Sequence, residues 1–195
     1  MKRILSLFTI STILSFAVPS FSQQPDAVTP HAAPEGFLEM LVYTVMPAEQ
    51  GNVVVLTDLG ETVFVPIFIG DSEALVISLR LTDQAFVRPL THDLLDAVLR
   101  ELGAELVEVR IDSLQDSAFV ATVQIRRDSN LIMLDSRASD GIALALGNEA
   151  PIYVSRDVIA ETGLLATDLW LLDPAAPDSG PSPSELLPPK DVFDL

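Results

Sequence analysis

Val53-Val54-Val55-Leu56-Thr57-Asp58-Leu59-Gly60-Glu61-Thr62-Val63-Phe64-Val65-Pro66-Ile67-Phe68-Ile69 reads as two strands and the link between them. β-Branched and aromatic residues fill both arms, and Asp58-Leu59-Gly60-Glu61 supplies a polar, glycine-bearing reversal. Strands joined by so short a link run antiparallel, because a parallel crossover needs a dozen residues or more. Residues 37–46 upstream have the same composition, and Gly51-Asn52 separates them from the next run. Residues 37–46, 53–57 and 62–69 therefore form a predicted antiparallel meander.

Downstream the hydrophobic period changes. Asp71 or Ser72 caps a predicted helix containing Glu73, Leu75, Val76, Leu79 and Arg80. Thr91 caps a second helix, where Leu94, Leu95, Val98, Leu99 and Leu102 make one apolar stripe. In it Asp96 stands four residues before Arg100, a spacing that pairs charges, and Gly103 closes the end. A hairpin of 106–111 and 118–126 follows, turning at 113–116, and then a strand over 131–135. Ser136 or Ser139 opens a short helix that ends at Gly147; a strand at 151–155 and a helical turn near 157–161 complete the pattern. Strands and helices come in blocks and do not alternate. The expected class is α+β, with a mostly antiparallel sheet and three or four short helices in a single compact domain.

That domain is expected over residues 37–172 of the 195. Lys2 and Arg3, the apolar run 4–18 and the small residues of Ser20-Phe21-Ser22 read as a secretory signal peptide over 1–22. The run is shorter than the ~20 residues that span a bilayer. The chain is thus expected to be exported, periplasmic or extracellular, without stable membrane association after cleavage. Pro25, Pro30 and Pro34 mark a flexible leader over 23–36, and six prolines from Pro174 to Pro189 mark a disordered tail over 173–195. With no cysteine, neither a lipid attachment site nor a disulfide framework is present.

The formal charge is −17; taking Lys2 and Arg3 from the eleven basic residues leaves nine against 28 acidic, a net −19. A field of this sign repels polyanions at long range. It does not encourage nucleic-acid binding, and any phosphate contact must be local. One lysine, Lys190, and eight arginines remain after the signal, and arginine's planar fork suits carboxylates and phosphates.

Several chemistries are excluded. No Gly-x-Gly-x-x-Gly or Gly-Lys-Ser/Thr loop is present, so no organic cofactor is expected, and thiol catalysis has no residue to use. Carboxylates, arginines and one histidine within the domain remain. His92, behind the expected cap Thr91, reads either as a general base or metal ligand, or as a surface histidine of a capping turn. Asp93 is explained by helix-dipole stabilisation alone. Arg137 opens a helix, where a cation is disfavoured by ~0.3–1 kcal/mol, so something must compensate. Asp135 and Asp140 can do so by ion pairing, or a bound anion can; Arg88 allows the same two readings. If Asp135 and Asp140 face one cleft they offer hard oxygen ligands for Mg²⁺ or Mn²⁺.

Val65-Pro66-Ile67-Phe68-Ile69-Gly70, Glu73-Ala74, Arg88-Pro89-Leu90-Thr91-His92-Asp93-Leu94-Leu95, Asp135 through Ala145, and Ala150-Pro151-Ile152-Tyr153-Val154 together resemble the bifunctional nuclease family. The resemblance covers about residues 37–162. It departs at Ala138, where the family pattern has proline, and at Gly141, where it more often has alanine. Gly141 loosens its helix by ~1 kcal/mol relative to alanine. The resemblance implies a compact α+β domain, a homo-oligomer, and cleavage of DNA and RNA as substrates.

The mechanism expected on this basis is metal-assisted phosphodiester hydrolysis. Asp135, Asp140 and Glu73 would hold a divalent ion, His92 would act as base or further ligand, and Arg88 and Arg137 would neutralise the phosphate. The competing reading is a non-catalytic oligomeric binding or assembly module of the same fold. Convergence of these side chains on an open cleft favours the first, and burial of both arginines in ion pairs favours the second.

Overall fold

The computed structural model describes residues 32–48 and 51–172. The expected signal peptide, the leader up to residue 31 and the tail from 173 lie outside the described residues. Two antiparallel meanders make most of the sheet. The first is β1 (Phe37–Ala48), β2 (Gly51–Asp58) and β3 (Phe64–Ile69); the second is β4 (Ala104–Gln115), β5 (Ala118–Arg127) and β6 (Asn130–Arg137). A short strand, β7 (Ile152–Ser155), joins them. It runs antiparallel to β1 and parallel to β4, giving the order β3-β2-β1-β7-β4-β5-β6. All four β7 residues are buried, as a seam strand between two half-sheets must be. Helices α1 (Asp71–Leu81) and α2 (Thr91–Glu101) follow the first meander, α3 (Ala138–Asn148) leaves the second directly, and α4 (Arg156–Thr162) follows β7. The architecture is the expected α+β domain.

The period of two in β2 explains how the sheet divides its apolar residues. Val54 and Leu56 enter the main core with Ile77 of α1 and Ile142 and Ala143 of α3. Val53 and Val55 point the other way, into a smaller cluster with Phe64, Leu164 and Leu169. Pro66 sits in β3, an outermost strand, where a missing N–H is tolerated.

Local details differ from the sequence reading for identifiable reasons. Gly51 and Asn52 belong to β2, paired with Ala48 and Pro47, and do not form the link. The β4–β5 turn lies at Asp116-Ser117, both at positive φ (48° and 65°), the two-residue reversal that matches strand twist. Each main helix starts one or two residues away from the expected caps: Gly70, Leu90 and Arg137 occupy the N-cap positions, and none caps by its side chain. For α2 the job falls to Asp93, which accepts from the Leu90 N–H at 2.8 Å. Helix α3 does not stop at Gly147. It runs to Asn148, and Glu149 at φ 53° ends it.

The largest correction concerns α2. Its expected core stripe is mostly exposed: Leu94, Leu95, Val98 and Leu102 all face out, while Leu99 packs against the main core. An ionic lock holds the opposite side. Asp96 pairs with Arg80 and not with Arg100; Nη2 of Arg80 lies 2.6 Å from Asp96 and 2.9 Å from Asp93. Arg80 also donates to the Ala143 carbonyl of α3, and Asn148 donates to Asp96 at 2.8 Å. Arg80 and Asp96 are nearly buried, so this lock joins α1, α2 and α3 at one point.

Candidate functional site

The three helix starts meet. Glu73 is the third residue of α1, His92 the second of α2 and Asp140 the third of α3; Arg137 is the N-cap of α3 and the last residue of β6. Arg137 joins two of them. Its Nη2 donates to Glu73 Oε1 at 2.7 Å, and its Nε donates to Asp140 Oδ2 at 2.8 Å. His92 Nε2 lies 3.1 Å from Asp140 Oδ1. Ser72 adds a hydroxyl donor to Glu73 Oε2 at 2.8 Å.

The electrostatics follow from this arrangement. Helix N-termini favour the carboxylates and disfavour the guanidinium. Asp140 and Glu73 supply the compensation that Arg137 needs, and Asp140, followed by Glu73, raises the Arg137 pKa further above its usual value. The Ser72 hydroxyl holds the Glu73 carboxyl below its ordinary range, with burial opposing and Arg137 adding to the effect. Arg137 nevertheless remains open to solvent: its side chain is 67% exposed, against 30% for Asp140 and 12% for Glu73. The cluster is ion-paired without being buried.

His92 is different, with only 10% of its side chain exposed. The nitrogen facing Asp140 must be the protonated one, since otherwise two lone pairs would oppose each other. Its other nitrogen, Nδ1, is buried with no hydrogen-bond partner among the described residues. Neither nitrogen faces solvent as a free base, so His92 orients Asp140 from behind.

All four residues line one open groove of about 910 Å³. Its walls are apolar: Leu95, Val98 and Leu99 from α2, Val123 and Ile125 from β5, Leu134 from β6 and Leu144 from α3. Asp135 lines the same groove, exposed on β6, and makes no hydrogen bond or ion pair with a described residue. Arg88 stands apart, exposed between α1 and α2 and outside the groove lining. Glu73, His92, Arg137 and Asp140 are thus brought together, Asp135 is near them and Arg88 is not. The sequence reading missed Ser72 as a donor and the β5 residues as a wall; no local signal marks either.

The donor set has the hard oxygens that Mg²⁺ or Mn²⁺ prefers. Its arrangement does not fit such an ion. No three His, Asp or Glu side chains among the described residues are placed to hold a metal together. Glu73 and Asp140 instead share Arg137, whose guanidinium a divalent ion would have to displace.

The fold and this junction of three helix starts define a small α+β domain with a charged groove. The profile of the bifunctional nuclease domain matches residues 54–167, and the chain belongs to that family. Among curated proteins it is similar to an uncharacterized protein of Mycobacterium tuberculosis, matched in two strains. Each is 43% identical over 105 residues, 54% of this chain and 62% of the relative. The match thus spans less than two thirds of those relatives' length.

Proposed function

We propose that this chain hydrolyses phosphodiester bonds of DNA or RNA at the Arg137–Asp140–His92–Glu73 cluster. The observation that carries the reading is an exposed arginine held by two carboxylates at three converging helix N-termini. The partial positive charge of helix N-termini makes phosphate a natural ligand for them, and Arg137 stands among three such ends. An incoming phosphate takes the Arg137 fork and releases one carboxylate from its strongest donor. Asp140, still oriented by His92, then accepts a proton from the attacking water. The new P–O bond forms as the ester P–O bond breaks, and solvent protonates the leaving oxygen. His92 is a positioning residue here, and no step is routed through a metal.

Purified chain, Asp140→Asn and Arg137→Lys, assayed on single-stranded DNA and RNA, test the proposal. Cleavage that persists unchanged in both variants sinks it. The alternative, an assembly module without catalysis, draws on the ion pairing of Arg137; it requires that the unmodified chain cleave neither substrate.

A further inference from the structure

We infer that the outer edge of β6 and the apolar face of α2 are where two copies of this chain meet. The inference does not depend on the proposed chemistry. The sheet has two outermost strands, β3 and β6, and they are finished differently. β3 is short, carries Pro66, and exchanges two backbone hydrogen bonds with Leu164, at 2.8 and 2.7 Å. β6 has none of these protections. It pairs with β5 over all eight residues without a bulge, and it contains neither proline nor lysine. Long, flat, apolar edges without such devices recruit another strand.

Leu131, Ile132, Met133 and Leu134 are consecutive and all exposed, so apolar residues stand on both faces of β6. Leu94, Leu95, Val98 and Leu102 are exposed on α2. Leu95, Val98 and Leu134 line the same groove, which makes the helix face and the strand one continuous surface. An occupant must cover both faces of the strand and satisfy its free N–H and C=O groups. A lipid or nucleic acid covers a face and leaves the edge; a folded partner can pair the edge with its own strand and lay a helix face against α2.

A second copy fits best. Antiparallel pairing of β6 with itself about a two-fold axis is self-complementary. The stretch from Asn130 to Leu134 has no charge, so two chains of net charge −17 can touch there without close repulsion. The same pairing would hold the strand that delivers Asp135 and Arg137 to the groove.

Sedimentation velocity over about 1 to 100 µM tests this. The unmodified chain should dimerise, more strongly as salt rises, because screening relieves like-charge repulsion. Met133→Lys and Leu94→Lys, on separate elements, should each raise the dissociation constant about tenfold or more. Phe68→Lys on β3 should leave the dimer intact. Hydrogen exchange on the unmodified chain should slow in β6 as protein concentration rises. A monomer throughout the range overturns the inference. So does a dimer indifferent to both lysines, one broken only by Phe68→Lys, or β6 exchange independent of concentration.

Discussion

His92 and Asp140 come from the first turns of two helices, 48 residues apart in sequence, and their side chains meet at 3.1 Å. Asp140 is the more exposed partner, and the second ring nitrogen of His92 is buried without a hydrogen-bond partner among the described residues. Asp140→Asn should lower cleavage about a hundredfold or more, the range lost with a general base. His92→Leu should lower it about tenfold yet melt close to the unmodified chain. Leucine removes a buried, unpaired nitrogen that costs ~1–3 kcal/mol, which offsets the lost bond to Asp140. Full activity in His92→Leu would end the positioning role.

Arg137 supplies a fork that lysine cannot reproduce, so Arg137→Lys should lose most activity although the charge is kept. Because Arg137 stands between Glu73 and Asp140, EDTA should change the rate of the unmodified chain by no more than about twofold. Rates should also rise from about 50 to 200 mM salt, as screening weakens repulsion between an acidic protein and its substrate. Abolition by EDTA, restored by Mg²⁺, would mean that a cation displaces Arg137.

The antiparallel meanders were legible because strand composition and short polar links act locally, as in 53–69. The family was legible from contiguous blocks. Arg137 was legible as a problem, a cation at a helix start, and the structure solves it with Asp140, one of the two aspartates expected, and with Glu73, 64 residues away, in place of Asp135. The role of α2 was not legible. Periodicity finds an apolar face on α2 without saying whether the chain itself covers it. Asp96 had an obvious partner in Arg100, yet a nearly buried arginine on another helix took it. Long-range choices of this kind depend on packing that no local pattern encodes.

Asp93 ties stability to pH. The Leu90 N–H, then Arg80, hold its carboxyl below the ordinary range against opposing burial. A depressed folded pKa contributes stability that is present above the unfolded value of about 4 and is lost as pH falls through the folded value. The difference in unfolding free energy between the unmodified chain and Asp93→Asn should therefore be full at pH 7. It should close progressively below about pH 4. Urea unfolding at several pH values checks this; a gap that widens on acidification contradicts the assignment.

Gly147 lies inside α3, where alanine would ordinarily gain ~1 kcal/mol. Here a Cβ would run into the Arg80 guanidinium and stand 2.7 Å from Asp96 Oδ2. Gly147→Ala should thus break the lock among α1, α2 and α3. Disrupting one partner of a buried ion pair costs ~3–5 kcal/mol, which outweighs the propensity gain, so a net loss of roughly 2–4 kcal/mol is expected. Thermal or denaturant unfolding that finds Gly147→Ala stabilised would show that Arg80 has room to move.

Gly141 presents the same conflict beside the site. By propensity alone alanine should improve α3 by ~1 kcal/mol. The glycine, however, lets α3 sit against β4: a Cβ would lie 2.7 Å from Val109 Cγ1, and Val109 is fully buried. A β-branched side chain has little rotamer freedom to yield, and overpacking a core costs ~1–3 kcal/mol. Gly141→Ala should therefore be destabilising by about 1 kcal/mol, and it should displace the adjoining Asp140 enough to lower cleavage. Val109→Ala opens space at the point of contact, so the double variant should be more stable than the two single changes predict, by about 1 kcal/mol in a double-mutant cycle. Activity should recover with it, because α3 can then return Asp140 to His92 and Arg137. A cycle that adds to zero would mean that α3 relaxes away from β4 without strain, and that Gly141 has no part in setting the site.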